Sequence, residues 1–505
     1  MTTTDHGEGL PVVPHWINGA PWAGAGGRTG DVYDPALGTV TKHVAFAEDT
    51  DVETAVLAAR NAFAGWRALS LARRQAIMFR FRDLLDERKD ELAEIITAEH
   101  GKVLSDALGE ITRGQEVVEF ATGLAHHLKG EFSEQVSTGV DVHSIRQPLG
   151  VVAVVSPFNF PAMVPMWFFP VAIAAGNTVV LKPSEKDPSA AVWIAGLFKE
   201  AGLPDGVFNV LQGDKVAVDG LLTHPDVCSV SFVGSTPIAR YVYETGARHG
   251  KRVQALGGAK NHMLVLPDAD LDLAADSAIN AGFGSAGERC MAISVIVAVE
   301  PVADELIARI TSRMAALRVG DGRRSCDMGP LVTREHRDRV ASYVDVAIED
   351  GAEVVVDGRK IEVDGDGDGF WFGPTLIDRV PTTSRVYTDE IFGPILSLVR
   401  VSAFDDAIRL VNSGPYGNGT AIFTNDGRAA RRFQNEVAVG MIGVNVPIPV
   451  PVATFSFGGW RQSLFGDTRA HGADGVRFFT QQKVVTSRWP EPHQGELNLG
   501  FPRNE

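Results

Sequence analysis

Cysteine is scarce. There are three in 505 residues, with no C-x-x-C pair and no Cys/His ligand spacing, so a disulfide framework and a zinc module are both excluded and a reducing, cytoplasmic setting is expected. Positive charge is also short. Lys plus Arg total 47 against 63 Asp plus Glu, a formal net charge of −16, and so acidic a surface repels nucleic-acid backbones and anionic lipid. Met1 to Val13 carries Asp5 and Glu8 and has no basic region leading into an apolar stretch, nor the arginines of a mitochondrial leader, so no targeting segment is expected there. Internal repeats and low-complexity linkers are missing too. What remains is ordinary globular composition, 45% hydrophobic and 22% charged, in a chain long enough for about two to four domains.

One stretch is free of charge: Pro148 to Leu181. Its length suits a membrane span, but Pro157, Pro161, Pro165 and Pro170 interrupt it, and Ser156, Asn159 and Asn177 would strand polar groups in hydrocarbon. A buried strand-loop-helix-strand unit is expected instead. Around it, from Gly150 to Gly257, short β-branched runs (Val151 to Val155, Thr178 to Leu181, Val207 to Leu211, Cys228 to Val233, Arg252 to Leu256) alternate with helical patterns. Alternation of this kind predicts right-handed crossovers and a parallel, doubly wound sheet. A second α/β region starts at His262 to Leu266 and includes Ile293 to Val299 and Gly440 to Val446, while Thr50 to His100 is mostly helical by period. The tail past Gly475, with alternating apolar residues in Val476 to Thr480 and Lys483 to Thr486, has too few strands for a core of its own and must pair with something.

Two motif matches fail on context. Gly282 to Gly287 fits G-x-G-x-x-G, but a helical pattern precedes it where a dinucleotide fingerprint needs a strand. Asp364 to Gly369 opens like a calcium loop, yet its twelfth position is Thr375 rather than Glu. A packed loop and a solvated hairpin tip are the respective expectations, and no metal site is expected.

Cys290 stands apart from Cys228, which lies inside an apolar strand, and from the loop residue Cys326. Small residues precede it in Gly284-Ser285-Ala286-Gly287, and the adjacent Arg289 adds positive charge expected to favour a thiolate. Phe283-Gly284-Ser285-Ala286-Gly287-Glu288-Arg289-Cys290 resembles the cysteine signature of the aldehyde dehydrogenase superfamily. Ser156-Pro157-Phe158-Asn159-Phe160-Pro161, Leu181-Lys182-Pro183-Ser184-Glu185, Phe232-Val233-Gly234-Ser235-Thr236 and Glu390-Ile391-Phe392-Gly393-Pro394 resemble further motifs of that superfamily, in the family's order.

The resemblance implies Cys290 as nucleophile and Asn159 as oxyanion donor, where a turn residue before Pro161 is the plainer reading of Asn159 alone. It implies an NAD site made by Ser156, Phe158, Lys182, Glu185, Ser235, Gly257, Glu390 and Phe392. Glu185 favours a free 2′-hydroxyl over a 2′-phosphate, and neighbouring Lys186 softens that preference. The expected architecture is a doubly wound NAD-binding domain (1–126 and 147–258), a second α/β catalytic domain (259–472) and a small β oligomerisation extension (127–146 and 473–505). A homo-oligomer, dimer or tetramer, follows from it.

One departure narrows the activity. Hydrolytic members have Glu-Leu-Gly-Gly-Lys where this chain has Leu256-Gly257-Gly258-Ala259-Lys260, and Leu256 cannot act as the base that activates water. Together with Glu288 to Ala292, Gly258 to His262, Gly466-Asp467-Thr468 and the tail to Trp489, this resembles the CoA-acylating methylmalonate-semialdehyde dehydrogenase subfamily. The resemblance implies oxidation of malonate or methylmalonate semialdehyde by NAD, loss of CO2 and transfer of the acyl group to coenzyme A, within valine, β-alanine or inositol breakdown. Arg289 and Arg113 are its implied anchors for the substrate carboxylate; on residues alone Arg113 reads as a surface helix arginine. Two alternatives stay open: a hydrolytic aldehyde dehydrogenase using Glu288 or Glu390 as base, and a catalytically silent binding protein on the same scaffold.

Overall fold

The computed structural model describes residues 9–363 and 367–489. Part of the expected hairpin tip at 364–369, and the chain after residue 489, lie outside the described residues.

Val151–Val155, Thr178–Lys182, Phe208–Val210, Val227–Val233 and Arg252–Leu256 form the parallel centre of an eight-stranded sheet. Numbered by chain order, these five run 3-2-1-4-5 across the sheet. Alternate residues divide between its faces: Val152, Val154, Val179 and Leu181 join one apolar cluster, and Val151, Ala153, Val155 and Val180 join another. A strand buried on both sides must be apolar throughout, which is why these segments read as unbroken β-branched runs. Helix Met163–Ala175 between the first two strands is buried along its whole length despite the internal Pro170. Among the described residues no helix is long and apolar enough to cross a membrane.

A direct connection of four residues, 257–260, carries the chain from the last parallel strand to Asn261–Val265, an inner strand of a seven-stranded sheet. Ile293–Val299, Thr375–Asp378, Ile395–Val401, Gly419–Phe423 and Met441–Val444 run parallel to it, and Glu353–Val356 closes one edge antiparallel. A separate apolar cluster packs around this sheet.

Phe132–Ser137, Val140–Pro148 and Thr480–Arg488 make a third, antiparallel sheet, in register from Thr480 opposite Pro148 to Arg488 opposite Val140. Phe132, Val136 and Val484 on it are exposed. Three details differ from the sequence reading. Val476 to Phe478 belongs to helix Gly472–Phe478, because Val476, Phe478 and the following Phe479 bury against helix Met163–Ala175. Leu464–Phe465, expected within the catalytic unit, instead pairs with Ala255 and Leu256 and extends the first sheet. Strand Val140–Pro148 also runs unbroken across the expected boundary at 146/147.

Candidate active site

In a sheet ordered 3-2-1-4-5 the connections leave strands 1 and 4 toward opposite faces, opening a crevice at their carboxyl ends where α/β proteins bind ligands. Strand 1 delivers Ser156 to Asn159 to that crevice, strand 4 delivers Gly234 and Ser235, and strand 2 delivers Lys182 to Lys186. The second sheet meets the crevice with its amino ends: Cys290 lies just before Ile293–Val299, and Glu390 to Phe392 just before Ile395–Val401. The result is a cleft of about 710 Å³. Cys290, Asn159, Ser156, Phe158, Lys182, Glu185, Lys186, Ser235, Gly257, Glu390 and Phe392 all border it.

At the strand 2 end, the Lys182 ammonium pairs with Glu185 at 3.1 Å. Burial raises the Glu185 carboxyl, but Lys182 and a backbone N–H outweigh it and leave the group below its usual range. The Lys186 ammonium lies 4.7 Å from the centre of the Phe158 ring, and Phe158 meets Phe392 edge-on at 5.9 Å. Ser235 takes the N-cap position of helix Thr236–Arg248 without spending its hydroxyl on a cap bond. The Ser156 hydroxyl is buried and has no partner in the fold, as expected of a group reserved for a ligand. Glu390 accepts the Ala259 N–H at 2.8 Å, and burial pushes its carboxyl up to about 7. A Cβ on Gly258 would lie 2.2 Å from the other Glu390 oxygen, so a side chain there would push Glu390 from its place.

The cysteine loop is tightly wound. After helix Leu271–Phe283, Ser285, Ala286 and Gly287 have φ of 52°, 51° and 72°, a left-handed run that costs energy at the two non-glycine positions and marks a site held by its surroundings. A helix, not a strand, precedes this G-x-G-x-x-G match. The Cys290 carbonyl accepts from the Asn261 and Asn418 amides, each at 3.0 Å. Asn159 donates Nδ2 to the Glu288 carbonyl at 2.9 Å, tying the strand 1 loop to the cysteine loop. Burial, with Glu390 adding to it, pushes the Cys290 thiol up to about 12. The expected thiolate is therefore corrected: Arg289 opposes the shift too weakly, and its guanidinium is already paired with Asp106.

Arg113 needs a second correction. It lies on an exposed face of helix Leu104–Thr122, ion-paired with Glu116 at 3.0 Å. It borders neither the cleft nor the small void beside Cys290 that Arg289 lines. An arginine three residues from a glutamate on a helix pairs locally, as the plain surface reading has it. Sequence reasoning also missed a buried cluster behind the Asn159 loop. Lys102 and Glu110 form a fully buried ion pair at 2.7 Å. Glu288, named in the sequence only as a rival base, lies 3.4 Å from His336 and 3.8 Å from His100, and burial pushes its carboxyl up to about 8.

A doubly wound sheet with a cysteine loop facing its switch point defines the class. The aldehyde dehydrogenase family model matches residues 22–485, and the chain belongs to that family. A malonate-semialdehyde dehydrogenase of Pseudomonas aeruginosa is 53% identical over 98% of this chain and 100% of its own length. Malonate-semialdehyde dehydrogenase 1 of Geobacillus thermodenitrificans is 47% identical over 95% of this chain and 99% of its own. Among solved structures, the methylmalonate-semialdehyde dehydrogenase of Oceanimonas doudoroffii superposes with a TM-score of 0.94 at 51% identity, covering 95% of this chain and 99% of that one. A structure from Sinorhizobium meliloti 1021, assigned the same activity and complexed with NAD, gives 0.95 at 50% identity, covering 97% and 100%.

Proposed function

We propose that this chain oxidises malonate or methylmalonate semialdehyde with NAD and passes the acyl group to coenzyme A. The carrying observation is that Cys290 and Asn159 share one cleft with Lys182, Glu185 and Ser235, while the position of the hydrolytic glutamate holds Leu256, buried in the apolar cluster that Cys290 packs against. The names of the relatives support the substrate class, and the NAD-bound neighbour supports the cofactor.

The cleft suits NAD: Lys182 and Glu185 would hold the adenosine ribose, the amino end of helix Thr236–Arg248 capped by Ser235 the diphosphate, and Glu390 with Phe392 the nicotinamide end. The unpaired Ser156 hydroxyl gives a further donor. When bound, NAD supplies the hydride acceptor. The protein supplies the rest. The Cys290 thiol gives up its proton to solvent reaching the cleft it borders, its sulfur bonds to the aldehyde carbon, and the Asn159 amide with the Cys290 N–H stabilises the resulting oxyanion; losing one such donor typically costs about 3 to 4 kcal/mol of barrier. Oxidation leaves a thioester on Cys290. A carboxylate β to that thioester departs as CO2 because the carbonyl takes the electron pair as an enolate, which a proton from solvent then converts at carbon to the acetyl or propionyl thioester. With Leu256 in place of a base, water is a slow acceptor, and the thiol of coenzyme A removes the acyl group.

In this reading the first sheet is the dinucleotide unit, the second the catalytic unit, and the third, whose outer strands Phe132–Ser137 and Thr480–Arg488 pair on one side only among the described residues, the contact of a dimer or tetramer. A cytoplasmic location accords with so few cysteines, three in 505 residues. The test is NADH formation from both semialdehydes with and without coenzyme A, with the acyl product identified. Acetyl-CoA or propionyl-CoA is expected, and free acid at full rate without coenzyme A contradicts the proposal. Cys290→Ala abolishes turnover but leaves NAD binding intact.

A further inference from the structure

Asn159 is held from two directions. Its side-chain amide donates to the Glu288 carbonyl, and its own backbone carbonyl accepts from the Lys102 ammonium at 2.6 Å. Lys102 lies between helices Lys89–His100 and Leu104–Thr122, and Glu110 lies on the second of them. Neither side chain is exposed, and the ammonium also sits 4.4 Å from the Phe160 ring centre. One Glu110 oxygen pairs with Lys102, while the other accepts the backbone N–H of Ala162 at 2.8 Å and of Met163 at 3.1 Å. A single buried ion pair thus fastens the chain on both sides of Phe160-Pro161.

Such a pair contributes little to net stability, since desolvation offsets much of the attraction. What it fixes here is the path of the backbone. Oxyanion stabilisation depends on a donor already placed where charge develops, and small misplacements cost rate steeply. We infer that Lys102, with Glu110 behind it, is a positioning residue: it locks the 159–163 segment so that the Asn159 amide faces the carbon attacked by Cys290. The inference rests on the reading of Asn159 as oxyanion donor, and Lys102 itself does not border the cleft.

The test is a double-mutant cycle in the full-length enzyme, following kcat for NADH formation, the Kd for NAD and the thermal midpoint. Asn159→Ala is expected to lower kcat by about 10²- to 10³-fold. Lys102→Met is expected to lower it by roughly 10- to 100-fold with NAD affinity within about twofold, and to cost less than about twofold more in the Asn159→Ala background, because the two residues act as one unit. Lys102→Met/Glu110→Gln leaves no unpaired buried charge, so it folds where the single variant is strained, and it is expected to show the same kcat loss. Wild-type kcat in that variant, or equal losses from Lys102→Met in both backgrounds, overturns the inference while leaving the role of Asn159 standing. Full activity in Asn159→Ala overturns the oxyanion reading itself.

Discussion

The guanidinium of Arg289, next in the chain to Cys290, is held by the carboxylate of Asp106, 183 positions away. Gly284 makes room for it: a Cβ there would lie 2.4 Å from the guanidinium. An arginine already paired with a carboxylate does little for a neighbouring thiolate, and burial with the nearby Glu390 outweighs it, pushing the Cys290 thiol up to about 12.

The free enzyme therefore rests as a thiol. A group with so high a pKa gains thiolate about tenfold per pH unit throughout the range below it. Iodoacetamide is expected to label Cys290 slowly at pH 7 and about a hundredfold faster at pH 9, with Cys228 and Cys326 resolved by peptide mapping. A plateau below pH 8 contradicts this and restores the thiolate expected from the sequence.

Glu288 yields a stability prediction. Its carboxyl is pushed by burial from an ordinary 4.5 up to about 8, so between those values the folded protein holds a proton that the unfolded chain releases. Stability from this group is lost as pH rises through that window. Glu288→Gln cannot titrate, and its side-chain oxygen can still accept the Val332 N–H. The thermal midpoint of the variant relative to wild type is expected to rise from pH 5 to about pH 8, to level off beyond it, and to be positive at the alkaline end. An offset that is the same at both ends sinks the assignment.

Much of this molecule is legible in its sequence, for identifiable reasons. Val151 to Val155 reads as a central strand because both faces are buried and every residue must be apolar, and the Cys290 loop reads as a tight turn because small residues crowd into it. The opposite holds for Lys102 and Glu110. Charged residues at the start of an amphipathic helix normally read as a solvated face, and only the fold shows Asn159 closing over them. The pairing of Asp106 with Arg289 is equally hidden, since two charges so distant in the chain carry no periodic signal. Leu464–Phe465, a strand of two residues, is too short for any pattern to mark.

The two arginines proposed as carboxylate anchors differ in placement. Arg289 lines the void beside Cys290, whereas Arg113 is exposed and paired with Glu116. A hydrogen bond to a charged group contributes about 1.5 to 3 kcal/mol, so Arg289→Leu is expected to lower kcat/KM for malonate semialdehyde by about 10- to 100-fold more than for propanal. Arg113→Leu is expected to discriminate less, because Arg113 borders neither that void nor the cleft. Equal losses on both aldehydes in Arg289→Leu remove its anchoring role, and stronger discrimination by Arg113→Leu reverses the ranking.

Leu256 offers the most direct control over the fate of the acyl group. It ends the strand Arg252–Leu256, is 3% exposed, and belongs to the apolar cluster against which Cys290 packs. A carboxyl placed there by Leu256→Glu would be desolvated, and desolvation raises a carboxyl toward neutrality, where a general base works best. General-base assistance typically contributes about 10²- to 10⁴-fold. The variant is therefore expected to release free acid without coenzyme A at least about tenfold faster than wild type, allowing for imperfect placement. Burying the new carboxyl costs stability, so a lowered thermal midpoint that recovers at acid pH, where the group is neutral, is expected alongside. Wild type should instead show one burst of NADH per active site and then stall until coenzyme A is added. If wild type without coenzyme A already turns over as fast as Leu256→Glu, the missing base is not what keeps water from the thioester, and the choice of a thiol acceptor loses its physical ground.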